Sequence, residues 1–168
     1  MQRYTIVATG FGWMGIAGSE KGLSFLTLPQ LSRRIALSAL EGILENVVED
    51  AEAFADLPSV LKRYFDGERI SFSCDIDLSD ATSFQSDVWM ATMTIPYGET
   101  RNYSWIARQI GRPKAWRAVG SALSKNHLPI VVPCHRVIAV DGGLGGFGGG
   151  LEMKRRLLSL EGVQIANL

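Results

Sequence analysis

Two hydrophobic periodicities follow one another near the start of this chain, and a backbone cannot serve both with one kind of element. Residues 4–8, 11–17 and 23–28 read as short strands, with Ser19-Glu20-Lys21-Gly22 as a turn between the last two. From Gln30 onward Leu31, Ile35, Ala36, Ala39, Leu40, Ile43, Leu44 and Val47 recur at helical spacing, while Arg33, Arg34, Glu41 and Glu45 fill the gaps. The pattern predicts a small antiparallel sheet followed by a long amphipathic helix reaching Val47. A short helix over 58–66 closed by Gly67, then a strand over 70–76, complete this part. Strands and helices mix without regular alternation, so the expected class is α+β.

Near 77–82 the composition shifts to a run of Asp and Ser, which places the boundary between a domain of residues 1–80 and one of residues 81–168. With 168 residues, 46% of them hydrophobic, the chain can bury a core in each. No apolar run approaches the roughly 18 residues of a membrane span, and no signal pattern follows Met1, so a soluble, cytoplasmic protein is expected. Two cysteines, Cys74 and Cys134, cannot build a disulfide framework, and two histidines, His127 and His135, do not complete a zinc set. No metal is expected, and a thiol remains as possible chemistry.

The formal net charge of zero speaks against nucleic acid, because DNA binders usually carry excess cations to displace counterions from phosphates. The distribution reverses that impression. Residues 97–136 hold Arg101, Arg108, Arg112, Lys114, Arg117, Lys125 and Arg136 against Glu99 alone, while Glu41, Glu45, Glu49, Asp50, Glu52 and Asp56 lie in the front half. An acidic front and a basic working surface follow, although charge alone equally allows a solvated basic face.

In the second half, Thr82 or Ser83 can cap a helix through Met93, which Pro96-Tyr97-Gly98 then ends. Helices over 104–110 and 114–124, joined by Gly111-Arg112-Pro113, form either a plain helical hairpin or a helix-turn-helix. In the second helix Ala115, Val119 and Ala122 or Leu123 would pack inward, turning Arg117, Ser121 and Ser124 outward. An apolar strand at Ile130-Val131-Val132 leads into Pro133-Cys134-His135-Arg136, then come a Gly-rich loop over 142–150 and a last helix over 151–160. The loop lacks the lysine and hydroxyl of a phosphate-binding P-loop.

A cysteine between a proline and a histidine has a stiff backbone and an imidazole nearby, which would lower its pKa and favour the thiolate. Buried as a small apolar residue, the same cysteine would be inert. Adjacent strand residues point to opposite faces, so a direct contact between Cys134 and His135 needs a bend or a bridging water. Glu161, near the end of the last helix, could orient the imidazole or simply be a solvated acid.

Pro133-Cys134-His135-Arg136-Val137 resembles the active-site signature of the O6-alkylguanine-DNA alkyltransferases. The likeness extends in order and spacing through Ile95-Pro96-Tyr97-Gly98-Glu99, Tyr103, Gly111-Arg112-Pro113-Lys114-Ala115, Arg117-Ala118-Val119-Gly120, Asn126 and Leu157-Leu158-Ser159-Leu160-Glu161-Gly162. It covers the second half of the chain. The resemblance implies a ribonuclease-H-like first domain and a winged helix-turn-helix second one. It also implies direct repair of double-stranded DNA, with the alkyl group of O6-alkylguanine, or of O4-alkylthymine, moved irreversibly to Cys134. His135 would be a water-mediated base oriented by Glu161, Tyr103 would donate to the guanine ring nitrogen, Asn126 would brace the turn, and Lys154 would support the site. Arg117 would fill the stack where the target base is flipped out. Further DNA contacts would come from Arg108, Arg112, Lys114, Ser121, Lys125 and Arg136, and the alkyl pocket from Pro133, Phe147, Gly148 and Gly149. No cofactor is implied, the protein would act as a monomer, and a stable thioether would limit it to one turnover.

The chain departs from the family where Phe147 stands in place of a common tyrosine, and Gly148 and Gly149 leave little side chain nearby. A roomier, flexible pocket that accepts benzyl as well as methyl groups is expected. The rival readings are an alkyltransferase-like damage sensor, which would lack the acceptor cysteine, a dimeric helix-turn-helix regulator, which would leave Pro133-Cys134-His135-Arg136 unexplained, and a cysteine hydrolase indifferent to DNA.

Overall fold

The computed structural model describes residues 1–42 and 46–165, which divide into two compact units, Met1–Ser79 and Asp80–Leu168. In the first, strands β1 (Gln2–Thr9) and β2 (Gly12–Ser19) form an antiparallel hairpin, and β3 (Gly22–Leu26) continues it on the far side of β2. The central strand β2 carries the core residues Met14, Ile16 and Ala17. Helix α1 (Arg33–Glu41) is capped by Ser32, whose Oγ accepts the Ile35 N–H at 3.3 Å. It packs Ala36 and Leu40 on the sheet. A Cβ at Gly15 would lie 2.7 Å from Leu40 Cγ, so the helix approaches this close only because β2 has a glycine there.

Three expectations are corrected here. The helix does not reach Val47: its C-cap is Gly42, Asn46 takes a left-handed φ of 56°, and strand β4 (Val47–Glu49) pairs parallel with β1. Ile43, Leu44 and Glu45, which the helical pattern included, lie outside the described residues. The sheet, ordered β3-β2-β1-β4, is therefore mixed rather than antiparallel. Two adjacent β-branched valines beside the unpaired edge of β1 favour strand over helix. Helix α2 (Leu57–Phe65) follows, burying Leu61, Tyr64 and Phe65. The strand expected over 70–76 is extended chain that meets the sheet only at its end, where Leu23 bridges Ile76 through bonds with the Asp75 carbonyl and the Asp77 N–H, both 2.8 Å.

In the second unit, α3 (Ser83–Met93) opens with a capping box: Thr82 Oγ1 accepts the Gln85 N–H at 3.2 Å, and Gln85 Oε1 accepts the Thr82 N–H at 2.9 Å. Strand β5 (Arg101–Asn102) pairs parallel with β6 (Val137–Ile138), and the Asn102 side chain caps α4 (Tyr103–Gln109). Helix α5 (Trp116–Ser124) buries Val119, Ala122 and Leu123, and Trp89 Nε1 donates to the Ala122 carbonyl at 3.0 Å, fixing α3 to α5. Lys114 and Ala115, expected in this helix, belong to the turn before it: Gly111 is left-handed at φ 70°, and the Arg112 N–H returns to the Ala107 carbonyl at 2.8 Å. Helix α6 (Leu151–Leu160) buries Lys154, Leu157 and Leu158. The fold is α+β, a sheet unit followed by a mainly helical one. Among the described residues no helix is long and apolar enough to cross a membrane.

Candidate active site

The expected strand at Ile130-Val131-Val132 is a tight turn. Asn126 Oδ1 accepts the Leu128 N–H at 2.9 Å, Asn126 Nδ2 donates to the Val132 carbonyl at 2.9 Å, and the Val132 N–H reaches the Leu128 carbonyl at 2.7 Å. The side chain of Asn126 thus closes the turn from within, and Ile130 is held at a φ of 78°, a conformation that β-branched residues rarely enter. The same Asn126 Nδ2 lies 3.2 Å from Cys134 Sγ, so one amide sets the turn and holds the sulfur.

Cys134, His135 and Arg136 form one 3₁₀ turn. That turn bends the chain between the two residues, with Cys134 lining the cavity and His135 turned to Glu161. His135 is fully buried and its Nε2 lies 2.8 Å from Glu161 Oε1. Glu161 is no solvated acid. Its side chain is buried, and it also accepts from Arg136 Nε and Nη2, each at 2.9 Å, and from the Gly98 N–H at 3.1 Å. Arg136 was expected to contact DNA. The structure corrects this: it is 6% exposed, with Nη1 on the Ile95 carbonyl at 2.7 Å and its guanidinium 5.7 Å from the Tyr97 ring. A guanidinium taken from water needs a paired anion, and Glu161 is that anion.

The electrostatics follow. Burial alone would raise the Glu161 pKa, but hydrogen bonds and charges from His135 and Arg136 outweigh it and hold the carboxyl well below the usual carboxylate range. Burial pushes the His135 pKa down despite Glu161, so the imidazole is neutral near pH 7. Burial pushes the Cys134 thiol up, against the opposing pulls of the Asn126 N–H and the Lys154 charge. Burial thus opposes the lowering expected from a neighbouring imidazole, and a base would help to deprotonate the thiol. Lys154, fully buried on α6, donates to the Val137 carbonyl at 2.5 Å and the Gly146 carbonyl at 3.1 Å; burial lowers its pKa to about 8.

Cys134 opens onto a cavity of about 500 Å³, walled by Tyr103, by Trp116, Arg117, Gly120, Leu123 and Ser124 of α5, and by Gly146, Phe147 and Gly148 of the Gly-rich loop. Tyr103 Oη reaches the Gly146 carbonyl at 3.4 Å. Of the four residues expected to line a pocket, Phe147 and Gly148 do so. Pro133 is buried in the turn, and Gly149 is not on the cavity wall. Trp116, Gly120 and Gly146 were not foreseen. The first two lie four residues apart on the helix that carries Arg117, a spacing that marks one face. Arg108, Arg112, Lys114, Arg117, Ser121 and Lys125 are all exposed, with Arg112 carried 5.5 Å over the Phe84 ring and Arg117 4.7 Å over the Trp116 ring.

A cysteine next in sequence to a buried histidine–carboxylate pair, opening onto a cavity walled by the second of two helices joined by a short turn, defines a protein of the thiol-nucleophile class. Residues 83–163 match the 6-O-methylguanine DNA methyltransferase, DNA binding domain, and residues 2–78 match the ribonuclease-like domain of the same methyltransferase. The chain belongs to the 6-O-methylguanine DNA methyltransferase family. A methylated-DNA–protein-cysteine methyltransferase of Methanosarcina acetivorans is 42% identical over 160 residues, spanning 95% of this chain and 97% of that protein. Its namesake in Mycobacterium leprae is 54% identical over 113 residues, 67% of this chain and 68% of the other. The crystal structure of Mycobacterium tuberculosis OGT in complex with DNA superposes with a TM-score of 0.80 at 43% identity, covering 95% of this chain and 92% of that one.

Proposed function

We propose that this protein repairs double-stranded DNA directly, as a monomer without a cofactor, by moving the alkyl group from O6 of guanine, or O4 of thymine, to Cys134 Sγ once per molecule. The observation that carries the reading is the amide of Asn126, which holds Cys134 Sγ at 3.2 Å beside the cavity while bracing the turn behind it. The Sγ–C bond forms as the C–O6 bond breaks, and the thiol proton, relayed first to His135, is returned to the leaving guanine so that the base departs neutral. His135, kept neutral by burial and tied through Nε2 to Glu161, would take that proton through a water, and the Tyr103 hydroxyl would bond the guanine ring nitrogen. Lys154 lowers the energy of the thiolate by its charge and fixes the Gly-rich loop through Gly146.

Reaching O6 requires the base to leave the stack, at a cost of a few kcal/mol. Arg117, exposed at the cavity on α5, would fill the gap, and Arg108, Arg112, Lys114, Ser121 and Lys125 would hold the backbone without reading sequence. Such a protein works in the compartment that holds the DNA, here read as the cytoplasm. Mixing the protein with excess duplex containing one O6-methylguanine tests the reading. One added methyl on the peptide carrying Cys134, stopping at one equivalent, is the expected mass spectrum. Tight binding without mass gain would replace transfer by damage sensing, and repeated turnover would replace it by hydrolysis.

A further inference from the structure

A second, smaller cavity of about 250 Å³ opens in the same unit, lined by Arg101, Trp105 and Arg108 and by Val140 and Gly142 of the turn that follows β6. It neighbours the cavity of Cys134. Asn102 lines the one and Tyr103, the next residue, lines the other, while the loop that gives Gly142 to the first gives Gly146 to the second. Its wall carries two guanidiniums and no carboxylate. Arg101 is held in place: its guanidinium lies 5.5 Å from the Trp105 ring, Nη1 donates to the Thr100 carbonyl at 2.8 Å, and Nη2 meets Glu99 Oε2 at 2.7 Å. An exposed pair such as Arg101–Glu99 is weak in water, so an incoming anion can share the guanidinium. Arg108, three residues after Trp105 on α4 and so on the same face, has no hydrogen-bond or ion-pair partner for its side chain among the described residues. At the rim Val140 is 80% exposed, on a turn closed by the Gly142 N–H and the Ala139 carbonyl at 3.1 Å. The carboxylate of Asp141 is off the wall, accepting the Gly143 N–H at 2.9 Å.

We propose that Arg101 and Arg108, set about the Trp105 ring, form a seat for one backbone phosphate of the lesion-bearing strand, close to the extruded nucleotide. The inference rests on the repair reading given above and adds to it the place where the backbone is gripped. Every wall of the cavity lies within residues 83–163, the part of the chain that matches a DNA binding domain. A phosphodiester offers two unesterified oxygens, and a planar guanidinium meets such oxygens with paired N–H groups. The space is below the range that drug-sized ligands need, which suits a phosphate with part of its sugar. A nucleotide whose base enters the cavity walled by Tyr103 leaves its backbone outside, and the adjoining cavity begins one residue away. Val140 would lie against the sugar. The indole and the Thr100 carbonyl fix the Arg101 guanidinium before DNA arrives, so little of its freedom is lost on binding.

Duplexes carrying one O6-methylguanine and a single uncharged methylphosphonate, moved one phosphate at a time along either strand, test this through the second-order rate of methyl gain at Cys134. With wild-type protein, neutralising one phosphate of the lesion strand should slow the reaction about tenfold, the scale of one charge-assisted hydrogen bond. Arg101→Gln and Arg108→Gln should each blunt that sensitivity, and the double variant should be indifferent to a methylphosphonate there, because the cations it would have met are gone. Methylphosphonates at other positions should slow variants and wild type alike, which controls for folding. Each single variant should also lower the slope of log rate against log salt by about one. Losses that simply add at every phosphate, coupling carried by Arg108 without Arg101, or coupling to the undamaged strand would overturn the proposal while leaving transfer intact. A wild-type protein that gains no methyl from any duplex would overturn the transfer reading and this placement with it.

Discussion

The two units treat charge in opposite ways. In Met1–Ser79 the ion pairs Arg3–Asp50, Arg33–Glu49 and Arg63–Glu68 all lie on the surface, and among the described residues the buried polar ones are the uncharged Thr5 and Thr27. In Asp80–Leu168 the buried set among the described residues includes His135, Arg136, Lys154 and Glu161. Burying ions gains little stability over an apolar core and makes the fold depend on each partner. The second unit accepts that dependence around the cysteine, where a dry, ordered environment can hold a base and a proton path. The first unit keeps its described ion pairs at the surface, where mutation costs little.

The sharpest break in this contrast is Cys134→Ala, which should abolish alkyl transfer while duplex binding persists; any alkyl group gained by that variant would remove the acceptor assignment. Glu161→Gln should come next, because it leaves Arg136 buried without its anion. A loss of about 3–5 kcal/mol in denaturant stability is expected, with transfer falling alongside, whereas a loss under about 1 kcal/mol would mean that the pair is not holding the unit together. Arg117→Ala should slow repair of duplex roughly tenfold or more while sparing reaction with free benzylguanine, and equal loss on both would contradict its role at the extruded base.

Acid should weaken the second unit through the same ions. His135 and Glu161 both have folded pKa values below their unfolded ones, so the unfolded state binds more protons as the pH drops. Stability should fall as the pH passes below about 6.5, where the unfolded histidine charges, and again below about 4.3, where the unfolded glutamate protonates. A melting temperature constant between those values would remove His135 from the account. The smallest effect is expected at the surface of the first unit: Arg3→Ala breaks a 3.2 Å pair between half-exposed side chains and should change stability by about 0–1 kcal/mol.

What the sequence disclosed and what it concealed divide along the range of the interactions involved. A cap at Thr82 or its neighbour Ser83 and an inward face through Val119 and Ala122 or Leu123 could be read because each is fixed within a turn or two of its own helix, although the return bond from Gln85 was not foreseen. Strand β4 could not, since Val47 and Val48 fit the helical spacing and become strand only through partners at Gln2 and Arg3. Arg136 counts as a surface cation in sequence until Glu161, 25 residues away, draws it inside. The role of Glu161 was open for the same reason. Asn126 was legible as a brace through family likeness, but its second bond, to the sulfur, needed coordinates. Trp116 reads in sequence only as a helical residue, because its place on the cavity wall comes from the glycine one turn on and from a loop distant in sequence.

The Gly146 carbonyl receives both Lys154 Nζ and Tyr103 Oη, and its position in the Gly-rich loop has a mechanical consequence. A ribbon fastened only at its ends sways as one span, with the largest excursion at the middle. Residue 146 is the middle of 142–150, so the ribbon is pinned where it would swing most and can flex only as two short, stiff halves. The wall of the cavity is then closer to a gauge than to a curtain. On the transfer reading proposed above, such a wall would screen an adduct by its width before any bond is made, which is stiffer than the flexible pocket expected from the glycines alone.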